Sequence, residues 1–210
     1  MLDLEARTPE LEAMAQKAAS DKRALAVLLE GLMNMKCPVR YKNFKVAFVI
    51  SEERPEALYE KWEFFKKLLK SGNNTFVFYA IHILANLSKV DVEGKFDGLF
   101  NHFFGILQGD ALVPACHVAY VAHKVARAKP GQAGRVTERL LNLDGATYKH
   151  KELVQANAMI SFSKYFDEIS QGDKERIVKM AHELQGSKSS KVRKEATEFF
   201  KITGVPCSQE

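Results

Sequence analysis

The 210-residue sequence lacks the features that mark several large protein classes. No run approaches the roughly 18 consecutive apolar residues of a membrane-crossing helix, so no membrane partner is expected. Cysteine is scarce. Cys37, Cys116 and Cys207 lie far apart, are odd in number and form no CxxC pair. That argues against a disulfide scaffold or zinc knuckle and makes a cytoplasmic setting the expectation. The opening MLDLEARTPELEAMAQ has acidic residues and no apolar run, unlike a secretory signal. Twelve Gly and six Pro are too few for a fibrous chain.

Catalytic and cofactor motifs are missing as well. The sequence has no GxxxxGK[ST], no GxGxxG after a strand, no GxSxG and no HExxH. Its six histidines are His82, His102, His117, His123, His150 and His182. Cys116 and His117 are adjacent and point to different helix faces, and His117 and His123 do not align, so no helix gathers a metal site by itself. Asp91, Glu93 and Asp97 surround a glycine without the spacing of a calcium loop. No metal, no cofactor and no catalytic residue is expected, and the chain reads as a non-enzyme.

What is present is apolar surface at helical spacing. Hydrophobic residues make up 46% of the chain and charged residues 27%, which suits a packed core. Thr8-Pro9 opens a first helix, because Thr caps free N–H groups and Pro fits the first helical position. Leu11, Met14, Ala18, Leu25, Leu28, Leu29 and Leu32 recur at helical spacing, with Ser20-Asp21 dividing the run. Residues 34–38 read as a turn. FKVAFVI (44–50) suits a strand by composition. Helix is preferred, since Tyr41, Phe44 and Phe48 share one face. Pro55 starts a further helix, with Leu58, Trp62, Phe65, Leu68 and Leu69 as its buried stripe and Ser71-Gly72 as its end.

From there the chain becomes periodic. Apolar helices at 75–87, 112–125, 153–166 and 191–202 begin 37, 41 and 38 residues apart. Shorter amphipathic helices at 95–108, 133–143 and 173–185 lie between them, with Asp110 and Asp173 as expected N-caps. A period of about 40 with two helices per unit is the mark of a helical solenoid, whose units bury their faces against their neighbours. The division is one helical-repeat domain over 1–203, with an irregular N-terminal cap (1–54), about four two-helix repeats (55–203) and a flexible tail (204–210).

The last of these units resembles HEAT-like and armadillo-like repeats. Asp173 opens its first helix, and Ser189, Val192, Arg193 and Ala196 match the small polar residue, valine, basic residue and alanine of a second helix. The third unit keeps Val154 and Ala158 with Gln155 in the basic slot. The second has Val113 followed by Pro114, and the first Val77 followed by Phe78. The resemblance implies an all-α, right-handed α-α superhelix of paired antiparallel helices and a non-catalytic scaffold for a protein or peptide. A more distant similarity, in size and basic excess, is to helical-repeat alkylpurine DNA glycosylases. It implies nucleic-acid binding, with base repair as the alternative function. Their aromatic, acidic and arginine set has no matching motif here, and Trp62 sits on an apolar stripe. A homo-oligomer paired through the solenoid ends is a further expectation.

The binding surface is sought on the second helices of the repeats. Tyr79, His82 and Asn86 share a face, as do Tyr120, His123 and Arg127, and Asn157, Ser161 and Lys164. Side by side they make a polar ridge suited to an extended peptide or a phosphate backbone. The alternative is solvated positions, or His and Tyr satisfied between helices. Phosphate contacts are assigned to Lys36, Arg40, Lys42 and Lys45 and to Lys191, Arg193 and Lys194. The alternative is solubility, with ion pairs such as Glu63 with Lys67. The net charge is +5, and residues 35–72 hold most of the basic excess.

Overall fold

Thr8 accepts the Leu11 N–H at 3.3 Å and starts α1 (Pro9–Ser20), as the sequence predicts. The computed structural model describes residues 6–34 and 36–207. Met35, in the expected turn, and 208–210, in the expected tail, lie outside the described residues. Every regular element among the described residues is helical. Two compact units divide the chain, Met1–Glu93 and Gly94–Glu210.

In the first unit Asp21 separates α1 from α2 (Lys22–Leu32). Its backbone is extended, and its carboxylate accepts the N–H groups of Arg23 at 2.7 Å and Ala24 at 3.3 Å. The 44–50 segment is helical, within α3 (Cys37–Glu53). All side chains from Val46 to Ser51 are buried, so this helix is apolar around its circumference and mimics a strand in composition. Pro55 opens a helix as expected, but the chain breaks at Glu60-Lys61. Two short helices result, α4 (Pro55–Tyr59) and α5 (Trp62–Leu69), which share the predicted stripe. Glu63 pairs with Lys66 at 3.1 Å. The last helix of this unit, α6 (Asn74–Leu87), is capped by Asn73 and buried from Val77 to Leu87. It packs against α3, α4 and α5.

The second unit contains α7 (Lys95–Gly105), α8 (Leu112–Ala128), α9 (Ala133–Leu141), α10 (Lys151–Tyr165), α11 (Gln171–Gln185) and α12 (Ser190–Thr203). Gly94 enters α7 with φ +68°, which suits a residue without Cβ. Two expected caps are corrected. Helix α8 follows Ala111 with no side-chain cap, so Asp110 does not serve. Ser170, not Asp173, caps α11. Its hydroxyl accepts the Asp173 N–H at 3.2 Å and donates to the Asp173 carboxylate at 2.9 Å. The helix therefore begins two residues earlier than expected, at Gln171, and Asp173 sits where a capping box places its acid.

Helix α10 is the hub of this unit, packed extensively against both α8 and α12, while α9 packs against α8, α10 and α11. Hydrogen bonds tie elements together over long sequence separations, from 28 residues between Thr137 and Tyr165 to 45 between Arg7 and Glu52. Ser161 reaches the Ala119 carbonyl 42 residues away, and Tyr148 the Leu107 carbonyl 41 away. Arg139 reaches Asn101 and Arg176 reaches Glu138, each across 38 residues. Within the first unit Asn86 donates to Ser51 across 35.

Candidate functional site

Helix α8 presents a mixed face to solvent. Val113 and Arg127 are exposed, and Cys116, His117, Tyr120, His123 and Lys124 are half-buried. Its opposite side carries Val118, Ala119, Val121, Ala122, Val125 and Ala126, all buried. Small residues there let α10 approach closely.

That approach is fixed by one hydroxyl. Ser161 is fully buried, and its Oγ lies 2.6 Å from the Ala119 carbonyl and 3.0 Å from the Tyr120 carbonyl. It also accepts the His123 N–H at 3.2 Å. His123 Nδ1 is 3.0 Å from the Tyr120 carbonyl. A carbonyl only accepts, so the bond requires the proton on Nδ1, and Nε2 is left as an acceptor. The Tyr120 ring meets the imidazole edge-on, 6.4 Å between centroids.

The electrostatics of this face are consistent along its length. Burial lowers the His123 pKa to about 4, and the positive charges of Lys124, Lys164 and Arg127 act in the same direction. His117 is likewise lowered to about 4, by burial first and with Lys191 contributing. Burial raises the Cys116 thiol, against an opposing pull from Lys191. Both imidazoles are therefore neutral near pH 7. Arg127 Nε lies 3.9 Å from Glu168 Oε1, just beyond the C-terminus of α10, an exposed pair of small energetic weight.

The expected ridge divides by burial. In the first unit, Tyr79 stacks on Phe44 at 4.2 Å, and His82 meets the Phe44, Phe48 and Phe78 rings. Asn86 donates to Ser51 at 2.7 Å. All three are core residues, as are Asn157, which donates to the Leu153 carbonyl, and Ser161. A helix covered on both sides has no solvated stripe, so its polar row is satisfied within the protein. Tyr120 and His123 remain half-buried, and Arg127 and Lys164 are exposed.

The first basic group is largely engaged within its own unit. Lys42 pairs with Glu10 at 2.7 Å, the Arg40 guanidinium lies over the Phe76 ring at 5.6 Å, and Lys45 is half-buried. Lys36 is exposed. In the second group Arg193 donates to the Ser187 and Lys188 carbonyls, while Lys191 and Lys194 project into solvent. Sequence reasoning missed Lys124 and His117 as members of the α8 face. Their spacing from Arg127 and Tyr120, three residues in each case, is the signal that finds them. Among the described residues no cluster of three or more His, Cys, Asp or Glu is arranged to hold a metal ion. No helix among them is long and apolar enough to cross a membrane.

No protein-family model matches this chain, and no curated protein matches its sequence. A solved structure does match: the crystal structure of an engineered protein, a target of the Northeast Structural Genomics Consortium. The two are 18% identical with a TM-score of 0.52, over 97% of this chain and 92% of the other. The likeness is one of all-α, multi-helix fold.

Proposed function

We propose that this protein is a non-catalytic interaction scaffold of HEAT-like or armadillo-like repeats, a right-handed α-α superhelix that binds a protein or peptide on its second-helix surface. The observation that supports the reading is a set of tertiary hydrogen bonds between residues about 40 positions apart in the second unit, as in Ser161 to Ala119, Tyr148 to Leu107 and Arg176 to Glu138. In a solenoid, equivalent positions of successive repeats lie side by side and build extended surfaces. The α8 face supplies that surface in the second unit. Ser161 ties α8 to α10 there, and a surface held in place leaves a partner little ordering cost on the protein's side. Tyr120 offers an aromatic contact, and Arg127 and Lys164 set orientation.

The test is an array of immobilised twelve-residue peptides, probed with the full-length protein and with an Arg127→Glu/Lys164→Glu variant. The reading expects a defined peptide set bound by the parent and lost or altered in the variant. Identical profiles, or no peptide bound by either, overturn it. Nucleic-acid binding is the second reading, favoured by exposed Lys191 and Lys194. It expects affinity for DNA or RNA that falls steeply, about 10³-fold or more for six phosphate contacts, between 50 and 200 mM salt.

A further inference from the structure

We infer that the exposed row of α2 is a self-pairing surface, on which a second copy of this chain docks its own α2 antiparallel. The inference goes beyond the scaffold reading and does not rest on it, since that reading places its surface on α8.

The argument starts from an outward row on a helix whose other side is core. Leu25, Leu28, Leu29 and Leu32 of α2 are buried. Arg23, Ala26, Val27 and Glu30 lie opposite them at helical spacing, and all four are exposed. Val27 is 68% exposed, which is high for a large aliphatic side chain at the centre of a packed helix. It also lines an open groove of about 460 Å³ between α1, α2 and α3, with Met14, Ala18, Ala24, Leu28 and Val46. Apolar surface therefore continues from Val27 towards α1.

The charges of this row run against the helix dipole. Helix α1 follows the usual preference, with Glu10 and Glu12 in its first turn and Lys17 in its last. Helix α2 reverses it. Lys22 and Arg23 occupy its first turn and Glu30 its last, with no acid in the one and no base in the other. Among the described residues neither the Arg23 nor the Glu30 side chain has an ion-pair partner.

An antiparallel second copy supplies what each end lacks. With a two-fold axis between Ala26 and Val27, Arg23 faces the partner's Glu30 and Glu30 faces the partner's Arg23. Val27 then packs on the partner's Ala26, whose small side chain leaves it room. A closed two-fold interface requires a surface that complements itself in this way. A parallel pairing would set like charges together, and a partner of one charge sign would meet a like charge at one end of the row. From Arg23 to Glu30 the helix rises only about 10 Å, at about 1.5 Å per residue. Such a row falls short of the roughly 800 Å² that each partner of a stable interface buries, so the dimer is weak and exchanges with monomer.

The test is sedimentation equilibrium of the full-length protein from about 5 to about 500 µM, the range that a small interface calls for. Monomer should prevail at the dilute end and dimer at the concentrated end. Arg23→Glu and Glu30→Arg should each weaken association by about tenfold or more, because each sets two like-charge contacts across the axis. The exchange Arg23→Glu/Glu30→Arg restores both pairs and should return the dissociation constant to within about threefold of the parent. Val27→Lys should leave monomer alone. The charge exchanges suit the helix dipole and Val27 is exposed, so melting at the dilute end should not fall. A monomer throughout, assembly beyond the dimer, a dimer indifferent to Val27→Lys, or a double exchange no tighter than the single ones overturns the inference.

Discussion

At the residue scale, Ser161, His117 and His123 are polar groups of the second unit that are buried or half-buried. A fully buried hydroxyl that bonds two carbonyls and an N–H leaves polar groups exposed to apolar surroundings when removed. Ser161→Ala should cost about 1–3 kcal/mol in urea unfolding. A loss near zero would mean that α8 and α10 are held by their small apolar residues alone. His117 and His123 have ordinary pKa values of 6.5 and folded values of about 4. Between these limits the unfolded chain binds more protons than the folded one, so stability falls as pH drops from about 6.5 towards 4. Melting temperature should decline across that window, and His117→Gln/His123→Gln should flatten the decline. An unchanged slope in the double variant would assign the pH dependence to carboxylates.

At the scale of elements, local chemistry and close approach act together. Asp21 ends one helix and caps the next, with no residue between them to spare. Asp21→Ala should lower stability by about 0.5–2 kcal/mol, read by thermal or urea unfolding followed by circular dichroism. Gly31 of α2 faces Asn43 of α3 so closely that an added Cβ would lie 2.4 Å from Asn43 Nδ2. The Asn43 side chain is held by its bond to the Val39 carbonyl at 2.9 Å, so it does not move freely. Gly31→Ala should therefore gain less in the parent than in an Asn43→Ala background, where the helix-propensity gain of about 1 kcal/mol is free to appear. A double-mutant cycle measures the difference, and additivity would show that Asn43 yields without cost.

For the molecule as a whole, the relevant fact is that helices far apart in sequence pack together in the second unit, where α10 meets both α8 and α12. Helix α12 contributes Val192, Ala196, Phe199 and Phe200 to the interior and packs on α10 and α11. A chain ending at Gly186 would expose the surfaces those side chains cover, at about 1.5–3 kcal/mol for each large side chain. Truncation there should yield a protein that binds a hydrophobic dye and melts far lower, even though no residue of α8 is touched. A truncated chain with the parent's melting temperature would mean that α12 is an appendage.

Local signals were enough for the helical class, the first cap at Thr8-Pro9, the division at Asp21 and the spacing of the long helices. Each depends on residues within a turn or two, where sequence neighbours are also spatial neighbours. The break at Glu60-Lys61 and the caps of α8 and α11 were not legible, because they depend on how a helix end meets the rest of its unit. The candidate site divides in the same way. Helical spacing groups Tyr79 with His82 and Asn86 just as it groups Tyr120 with His123 and Arg127, since a period of about 3.6 defines which residues share a face. It carries no information about what covers that face. Tertiary packing supplied it, burying the first set among phenylalanines and leaving the second at the surface beside lysines distant in sequence, because burial and charge proximity arise from contacts some forty residues apart that no local pattern encodes.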